Sequence, residues 1–203
     1  MSARRWTRRL TVGLGLILVI AGAGYVAMVS PGDPSTAGRV SGSSLHPSDN
    51  PVTGTGIGQS APDFVGPDGD RAPLLVSLDG NPIRLHDFAG RPLWIVFWAT
   101  WCTPCQQEAG EIRAAYHAHR DAGLAVLAVD IQEPAAAVRD YALNHDLDYT
   151  IGLDATAAVR ALYGGWGLPS HFFVDGTGVI RDRYLGQMTG QLMEQHLRAI
   201  IGS

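Results

Sequence analysis

Two cysteines are the residues of this chain best suited to do chemistry. Cys102 and Cys105 are the only cysteines among its 203 residues, and two residues separate them. An apolar run over residues 93–98 precedes them, with the length and residue types of a buried strand. Residues 106–116 follow with the composition of a helix. The pair is therefore predicted to lie between a buried strand and the N-terminus of a helix.

A Cys-x-x-Cys pair in this position is suited to redox chemistry. The unpaired N–H groups and the dipole of a helix N-terminus favour negative charge, so we expect a lowered pKa for the Cys102 thiol. The spacing lets the two sulfurs close a disulfide and reopen it. We therefore predict that Cys102 is the nucleophile, which forms a mixed disulfide with a substrate, and that Cys105 resolves it.

Three other roles for the cysteines fit the sequence less well. A structural disulfide usually joins distant segments, whereas this pair would close a very small loop. A structural zinc site needs four ligands, and His117 and His119 lack the histidine spacing of a zinc finger. Inert buried thiols would not need this spacing. We therefore predict a redox-active cysteine pair, with no metal and no other cofactor.

The charge distribution argues against a nucleic-acid partner. The formal net charge is −4, and the first nine residues hold four arginines and no acid. The remainder of the chain therefore carries −8, which disfavours binding to a polyanion.

An uncharged apolar segment follows the basic N-terminus. Residues 10–29 are long enough to cross a bilayer core, so we predict a transmembrane anchor there, with a cleaved signal peptide as the alternative. The arginines place residues 1–9 in the cytoplasm and the rest of the chain outside it. The predicted location is the cell membrane, with a single pass and an extracytoplasmic catalytic domain.

The remaining residues divide into a tether and one domain. Residues 30–56 are rich in Pro, Gly and Ser and are predicted to be a flexible linker. Residues 57–203 alternate strand and helix patterns, which indicates an α/β domain with a central mixed sheet flanked by helices. An N-terminal hairpin over residues 74–85 is expected to extend it. The predicted strands are 93–98, 125–129, 149–153, 171–174 and 179–184, and the predicted helices are 106–116, 133–144, 156–163 and 190–201.

Three stretches carry a resemblance to a known family. Residues 58–64 read Gly-Gln-Ser-Ala-Pro-Asp-Phe, residues 97–105 read Phe-Trp-Ala-Thr-Trp-Cys-Thr-Pro-Cys, and residues 167–175 read Gly-Leu-Pro-Ser-His-Phe-Phe-Val-Asp. Together they resemble the thioredoxin superfamily and, within it, the membrane-anchored TlpA/ResA-like thiol-disulfide oxidoreductases. The resemblance implies a thioredoxin-like fold and an enzyme that exchanges thiols and disulfides outside the cytoplasm.

The resemblance also implies roles for residues around the cysteines. Pro169 matches the family's cis-proline, and the backbone of Leu168 would pair with a substrate segment. Glu108 matches an acidic residue beneath the active site and becomes the candidate proton relay for Cys105. Contacts with partner peptides are expected from Trp101 and from the two residues between the cysteines, Thr103 and Pro104.

Three positions depart from the family pattern. Gly110 stands where a proline usually kinks the helix, which leaves the kink open. Ser170 and His171 stand where two threonines are common. His171 could touch the active site or serve only as a structural residue at the start of a strand.

The expected partners follow from the same resemblance. Substrates would be disulfides of exported proteins, including apocytochrome c, whose Cys-x-x-Cys-His must be reduced before haem attaches. A membrane thiol carrier would supply electrons, and a monomer is the default state. The Thr103-Pro104 dipeptide has no histidine to stabilise the thiolate further, which favours a reductant over an oxidant.

Two other functions remain as alternatives. A Cu(I)-binding metallochaperone would use Cys102 and Cys105, with His171 as a third candidate ligand. A peroxiredoxin-like peroxidase would need a Thr-x-x-Cys match, and Ala99 occupies the threonine position.

Overall fold

A computed structural model of the chain describes residues 55–66 and 69–202. The predicted basic segment 1–9, the anchor 10–29 and nearly all of the linker 30–56 lie outside the described residues. Within the described residues, no helix combines the length and apolarity needed to cross a membrane.

A six-stranded mixed sheet forms the centre of the domain. Its strands lie in the order β3-β6-β5-β4-β7-β8, and β4, β5, β6 and β8 run in one direction, whereas β3 and β7 run antiparallel to them. The strands are β3 Val76–Ser77, β4 Leu93–Trp98, β5 Ala125–Ile131, β6 Thr150–Asp154, β7 Ser170–Val174 and β8 Ile180–Leu185. The predicted central mixed sheet is confirmed.

Strand β4 is buried on both faces. All six of its residues are buried, as the uninterrupted apolar run predicts for a central strand. Its alternate side chains divide the core in two: Trp94, Val96 and Trp98 point into one apolar cluster, and Ile95 and Phe97 point into the other.

Four α-helices within the described residues cover the sheet. They are α1 Thr103–His119, α2 Ala135–Asn144, α3 Ala158–Leu162 and α4 Gly190–Leu197. Buried residues of α1, α2 and α4 pack on the face that holds Trp94 and Trp98. Val159 of α3 packs on the opposite face, together with Phe64 and Leu75 from the segment before β4.

Helix α1 is longer than predicted. It begins at Thr103 rather than at residue 106, and it runs for 17 residues through Gly110 without interruption. Helix α2 starts two residues later than predicted, because Pro134 has an extended backbone conformation and precedes the first turn. Helix α4 ends at Leu197, four residues before the predicted boundary.

The predicted N-terminal hairpin is present in shortened form: Val76 pairs antiparallel with Pro82, and the Ile83 N–H donates to the Leu75 carbonyl at 3.0 Å. A second hairpin precedes it. β1 Val65–Gly66 pairs with β2 Gly69–Pro73 in a separate antiparallel ribbon. The predicted second strand over residues 83–85 is wrong in its extent: the pairing ends at Ile83, and a 3-10 helix spans Leu85–Phe88. Two aspartates explain this: Asp87 accepts the Arg84 N–H at 2.8 Å, and Asp63, from the segment before β1, accepts the Leu85 N–H at 2.8 Å. These side chains take backbone donors that a strand would have used.

Two glycines test the packing of this fold. A Cβ at Gly152 of β6 would lie 2.8 to 2.9 Å from three side-chain carbons of Leu75, which is fully buried. We therefore expect G152A to lower the free energy of unfolding by about 1–3 kcal/mol. The measurement is the denaturant midpoint of the full-length chain.

The matched control is the same change at an exposed glycine of α1. A Cβ at Gly110 would meet nothing within 4 Å. Because glycine costs a helix about 0.5–1 kcal/mol relative to alanine, G110A should be stabilising. Equal midpoints for the two variants would contradict the packing described above.

Candidate active site

Cys102 and Cys105 form a disulfide at the N-terminus of α1. The S–S distance is 2.03 Å, and both residues are at least 95% buried. Cys102 is the N-cap residue of the helix, and its Sγ accepts the Cys105 N–H at 3.3 Å. The predicted position at a helix N-terminus is therefore observed. A thiolate at Cys102 would meet a backbone donor and the positive end of the helix dipole.

Pro104 lies in the first turn of α1. The N–H groups of a first turn have no acceptor within the helix, so a proline there sacrifices no helical hydrogen bond. Thr103 is exposed and Pro104 is half-buried, so both residues between the cysteines reach the surface.

Hydrogen bonds with two side chains hold the segment that connects β4 to α1. Glu133 accepts the Thr100 N–H at 2.6 Å and also the Thr100 hydroxyl. The Gln106 side chain donates to the Thr100 carbonyl. These bonds fix the backbone two residues before Cys102. Glu133 is a site residue that the sequence did not reveal.

An exposed tryptophan and a cis-proline segment lie near the disulfide. Trp101 is 67% exposed although it is a large apolar residue. The Leu168–Pro169 peptide bond is cis. Because Ser170 pairs with Phe97, the chain enters β7 at the end of β4 that leads to the cysteines. The cis-proline segment therefore lies at the same edge of the sheet as the disulfide.

Glu108 is buried behind the disulfide, one turn after Cys105. Its side chain is 1% exposed, and Oε2 accepts the Met188 N–H at 2.9 Å. A cavity of about 10 Å³ is lined by both Cys105 and Glu108, which is close to the lower limit for one water. Burial raises the pKa of Glu108 to about 8, although the hydrogen bond from the Met188 N–H acts to lower it. A carboxyl group with such a pKa can exchange protons with a thiol near neutral pH.

His171 lies against Glu108 from the neighbouring strand β7. Its Nε2 atom is 3.4 Å from Glu108 Oε1, and neither side chain is exposed. Nε2 also lies 3.2 Å from the Gly186 carbonyl oxygen. Burial lowers the pKa of His171 to about 3, so both members of the pair are uncharged at pH 7. Sequence reasoning left the role of His171 open, and the structure brings it to Glu108.

A second buried acid lies at the end of β5. Asp130 is fully buried, and its Oδ1 accepts the Glu133 N–H at 3.3 Å. Burial, followed by the proximity of the Glu133 carboxylate, raises the pKa of Asp130 to about 8. The signal was present in the sequence, because Asp130 interrupts the apolar run of residues 125–131. Its connection to the active site runs through Glu133 and Thr100 and depends on the fold.

The structure does not place His171 in a metal-binding cluster. Its Nε2 faces Glu108 and Gly186 in the core. Among the residues that the structure describes, no group of three or more His, Cys, Asp and Glu side chains is arranged to hold a metal ion.

The buried carboxyl of Glu108 should make stability depend on pH. In the oxidised protein, folded Glu108 keeps its proton up to about pH 8, whereas in the unfolded chain the ordinary value is 4.5. The folded state therefore binds the extra proton in this window, and the contribution of Glu108 to stability declines as pH rises from 4.5 to 8. E108Q removes the decline. We expect its free energy of unfolding, relative to the parent, to rise by on the order of 2–3 kcal/mol across the window.

The measurement is denaturant unfolding of the oxidised full-length chain at several pH values. E111Q makes the same chemical change at an exposed position of the same helix and is the matched control. If the free energies of unfolding of E108Q and E111Q changed with pH in the same way, burial of Glu108 would not be the cause of the pH dependence.

Comparison with known proteins places the chain in a family. Residues 57–183 match the AhpC/TSA family. The thiol-disulfide oxidoreductase ResA of Geobacillus thermodenitrificans (strain NG80-2) is 33% identical over 148 residues, which cover 73% of this chain and 80% of that protein. The thioredoxin-like protein YneN of Bacillus subtilis (strain 168) is 35% identical over 143 residues, which cover 69% of this chain and 78% of that protein.

Solved structures agree with this placement. A Chlorobium tepidum protein assigned as a thiol:disulfide interchange protein DsbE superposes with a TM-score of 0.64 at 25% identity, covering 73% of this chain and 99% of that chain. A solution structure of a thiol:disulfide interchange protein from Bacteroides sp. has a TM-score of 0.60 at 21% identity, covers 73% of this chain and 92% of that chain, and supports the fold alone. The chain therefore belongs to the AhpC/TSA family of thioredoxin-like proteins, and within it to the relatives of the ResA thiol-disulfide oxidoreductases.

Proposed function

We propose that this protein is a thiol-disulfide oxidoreductase that reduces disulfides of exported proteins outside the cytoplasm. The observation that carries the proposal is the buried Cys102–Cys105 disulfide at the N-terminus of α1. The exposed Trp101 and the cis-proline segment at the same edge of the sheet give a protein substrate a surface to bind. Disulfides persist outside the cytoplasm, so an enzyme that removes them there has a defined task.

The reaction follows from the two cysteines. In the reduced enzyme, the Cys102 thiolate attacks one sulfur of a substrate disulfide, and the other substrate sulfur leaves with the electron pair as a thiolate. The Cys105 thiol then passes its proton to the Glu108 carboxylate and attacks Cys102. The Cys102–Cys105 bond forms, the mixed disulfide breaks, and the substrate leaves as a dithiol. Two electrons have moved from the enzyme to the substrate.

The surrounding residues serve this exchange. The backbone of Leu168, ahead of cis-Pro169, pairs with the substrate segment around its cysteine. Trp101, Thr103 and Pro104 contact the side chains of that segment. These contacts select a polypeptide in an extended conformation, as in other cases of strand addition.

Regeneration requires an electron donor, because each turnover leaves the enzyme oxidised. We propose a membrane thiol carrier for this step and a single-pass anchor over residues 10–29 that keeps the enzyme beside it. The charge pattern of residues 1–29 supports this topology. Apocytochrome c is the substrate that we propose first, because the cysteines of its Cys-x-x-Cys-His motif must be reduced when haem attaches.

Substitution of the two cysteines tests their roles. In C105S, Cys102 can attack a substrate but nothing resolves the product, so we expect covalent mixed disulfides with exported proteins. In C102S the attacking group is absent, so trapping should fall at least about tenfold. The measurement is non-reducing electrophoresis of membrane fractions from cells that express each full-length variant. Equal trapping by the two variants would contradict the assignment.

The direction of electron flow can be measured separately. We expect a reduction potential near that of thioredoxin, about −270 mV, for the full-length chain equilibrated against a thiol buffer. The reason is that no histidine lies between the cysteines to stabilise the thiolate further. A potential near about −120 mV, in the range of strong oxidants, would reverse the proposed direction and leave the cysteine roles unchanged.

A further inference from the structure

The pair formed by Glu108 and His171 has polar atoms without hydrogen-bond partners. Both side chains are fully enclosed, and His171 Nε2 lies 3.4 Å from Glu108 Oε1. Glu108 Oε1 has no hydrogen-bond partner, whereas Oε2 is occupied by the Met188 N–H. A buried carboxyl oxygen without a partner is costly, and the cost grows when the group ionises.

The proton of His171 can be located from its neighbours. Nε2 lies 3.2 Å from the Gly186 carbonyl, which accepts hydrogen bonds and cannot donate them. Nε2 therefore carries the hydrogen in the neutral imidazole, and Nδ1 carries the lone pair. The same Nε2–H group faces Glu108 Oε1, so one donor is within reach of both oxygens.

We propose that His171 is a positioning residue for Glu108, whose Nε2–H group donates to the ionised carboxylate and holds it ready to accept the proton of Cys105. The proposal rests on the function proposed above. While Glu108 is neutral, Nε2–H donates to the Gly186 carbonyl. When Glu108 loses its proton, the carboxylate is the stronger acceptor, and the hydrogen bond transfers to Oε1.

This contact has a defined chemical effect. Hydrogen bonds to a carboxylate favour its charged form and oppose the desolvation that raises the pKa of Glu108. With donors on both oxygens, from Met188 and from His171, the ionised form becomes accessible near neutral pH. Without His171, the charged form would have a single donor.

Other titratable groups lie near the pair on each neighbouring element. Tyr149, ahead of β6, lines the cavity beside Glu108. Tyr184 of β8 lies with its ring centroid 6.4 Å from that of His171. His196 of α4 is electrostatically coupled to His171, and its Nδ1 binds Asp182 at 2.6 Å. A titration of the pair must therefore be assigned to Glu108 itself rather than taken from a global signal.

Gly186 connects the pair to the substrate-binding segment. Its N–H donates to the Pro169 carbonyl at 2.9 Å, and its carbonyl faces His171. Removing His171 altogether could therefore disturb the cis-proline segment as well as Glu108. A variant that keeps a donor at the position of Nε2 separates the two effects.

The test uses two substitutions of matched size. Glutamine at position 171 places amide donors near the position of Nε2 and does not titrate, whereas methionine fills similar space without a donor. H171L repeats the deletion if H171M does not fold, because leucine also fills apolar space without a donor. The readout is the pH titration of the Glu108 carboxyl carbon by nuclear magnetic resonance, in the oxidised full-length chain labelled with ¹³C-glutamate in detergent. Comparison with E108Q assigns the resonance.

The oxidised state is chosen because no thiol then titrates beside Glu108. We expect H171M to raise the Glu108 midpoint by about one pH unit or more, which is a tenfold loss of the ionised form at pH 7. H171Q should remain within about 0.3 unit of the parent. An unchanged or lowered midpoint in H171M, or an equal rise in both variants, would overturn the proposal.

A kinetic measurement separates this proposal from the proposed function. The reduced enzyme is mixed with an aromatic disulfide, and release of the second coloured thiolate reports attack by Cys105 on the mixed disulfide. The pH profile of this rate in H171M should move upward by the same interval as the carboxyl titration. If E108Q resolves the mixed disulfide as fast as the parent, Glu108 is not the base for Cys105, and that part of the proposed function is wrong. The carboxyl titration still decides whether His171 stabilises the ionised form of Glu108.

Discussion

A carboxyl group held in an apolar core beside the disulfide is the constraint on which the rest of this site depends. Glu108 is placed by helix α1, whose first turn must follow directly from the end of the buried strand β4. Residues three apart share a helix face, so a carboxylate one turn after Cys105 points into the same core as the cysteine. Burial then favours the protonated acid. A group proposed as a proton relay must hold this proton and later release it.

The core tolerates this group because neighbouring elements supply polar contacts. The Met188 N–H binds one carboxyl oxygen, and His171 faces the other. Both contacts come from the region around β7 and β8, the same region that positions cis-Pro169 through Gly186. Hydrogen bonds through Gly186 join cis-Pro169 to His171, and His171 in turn contacts Glu108. A change in the segment proposed to bind substrate is therefore expected to affect the proposed proton carrier.

Buried acids are a repeated feature of this end of the sheet. Asp130 follows the same rule as Glu108, since burial raises its pKa and Glu133 beside it adds to the effect. Glu133 also binds Thr100, two residues before Cys102. Such groups lower stability at neutral pH relative to apolar side chains of the same size. Their location around the disulfide agrees with the tendency of functional sites to hold strained or destabilising groups.

The sequence alone was sufficient for the features that depend on near neighbours along the chain. The spacing of Cys102 and Cys105, the apolar run that became β4 and the position of Glu108 one helical turn further on are all local patterns, and the structure agrees with each. The strand prediction failed at Arg84 and Leu85, because the carboxylates of Asp87 and Asp63 accept the backbone N–H groups that a strand would have used. The tertiary structure alone decided the contacts across the fold. The partners of Glu108 come from distant positions, with Met188 lying 80 residues further on, and no local periodicity encodes such a contact. From the sequence, His171 could be either a residue of the active site or a structural residue, because a histidine at the start of a strand packs equally well with or without a carboxyl group beside it. Only the stacking of α1 on β7 brings the two side chains together, and only burial on both sides removes the water that would otherwise make their pairing unimportant.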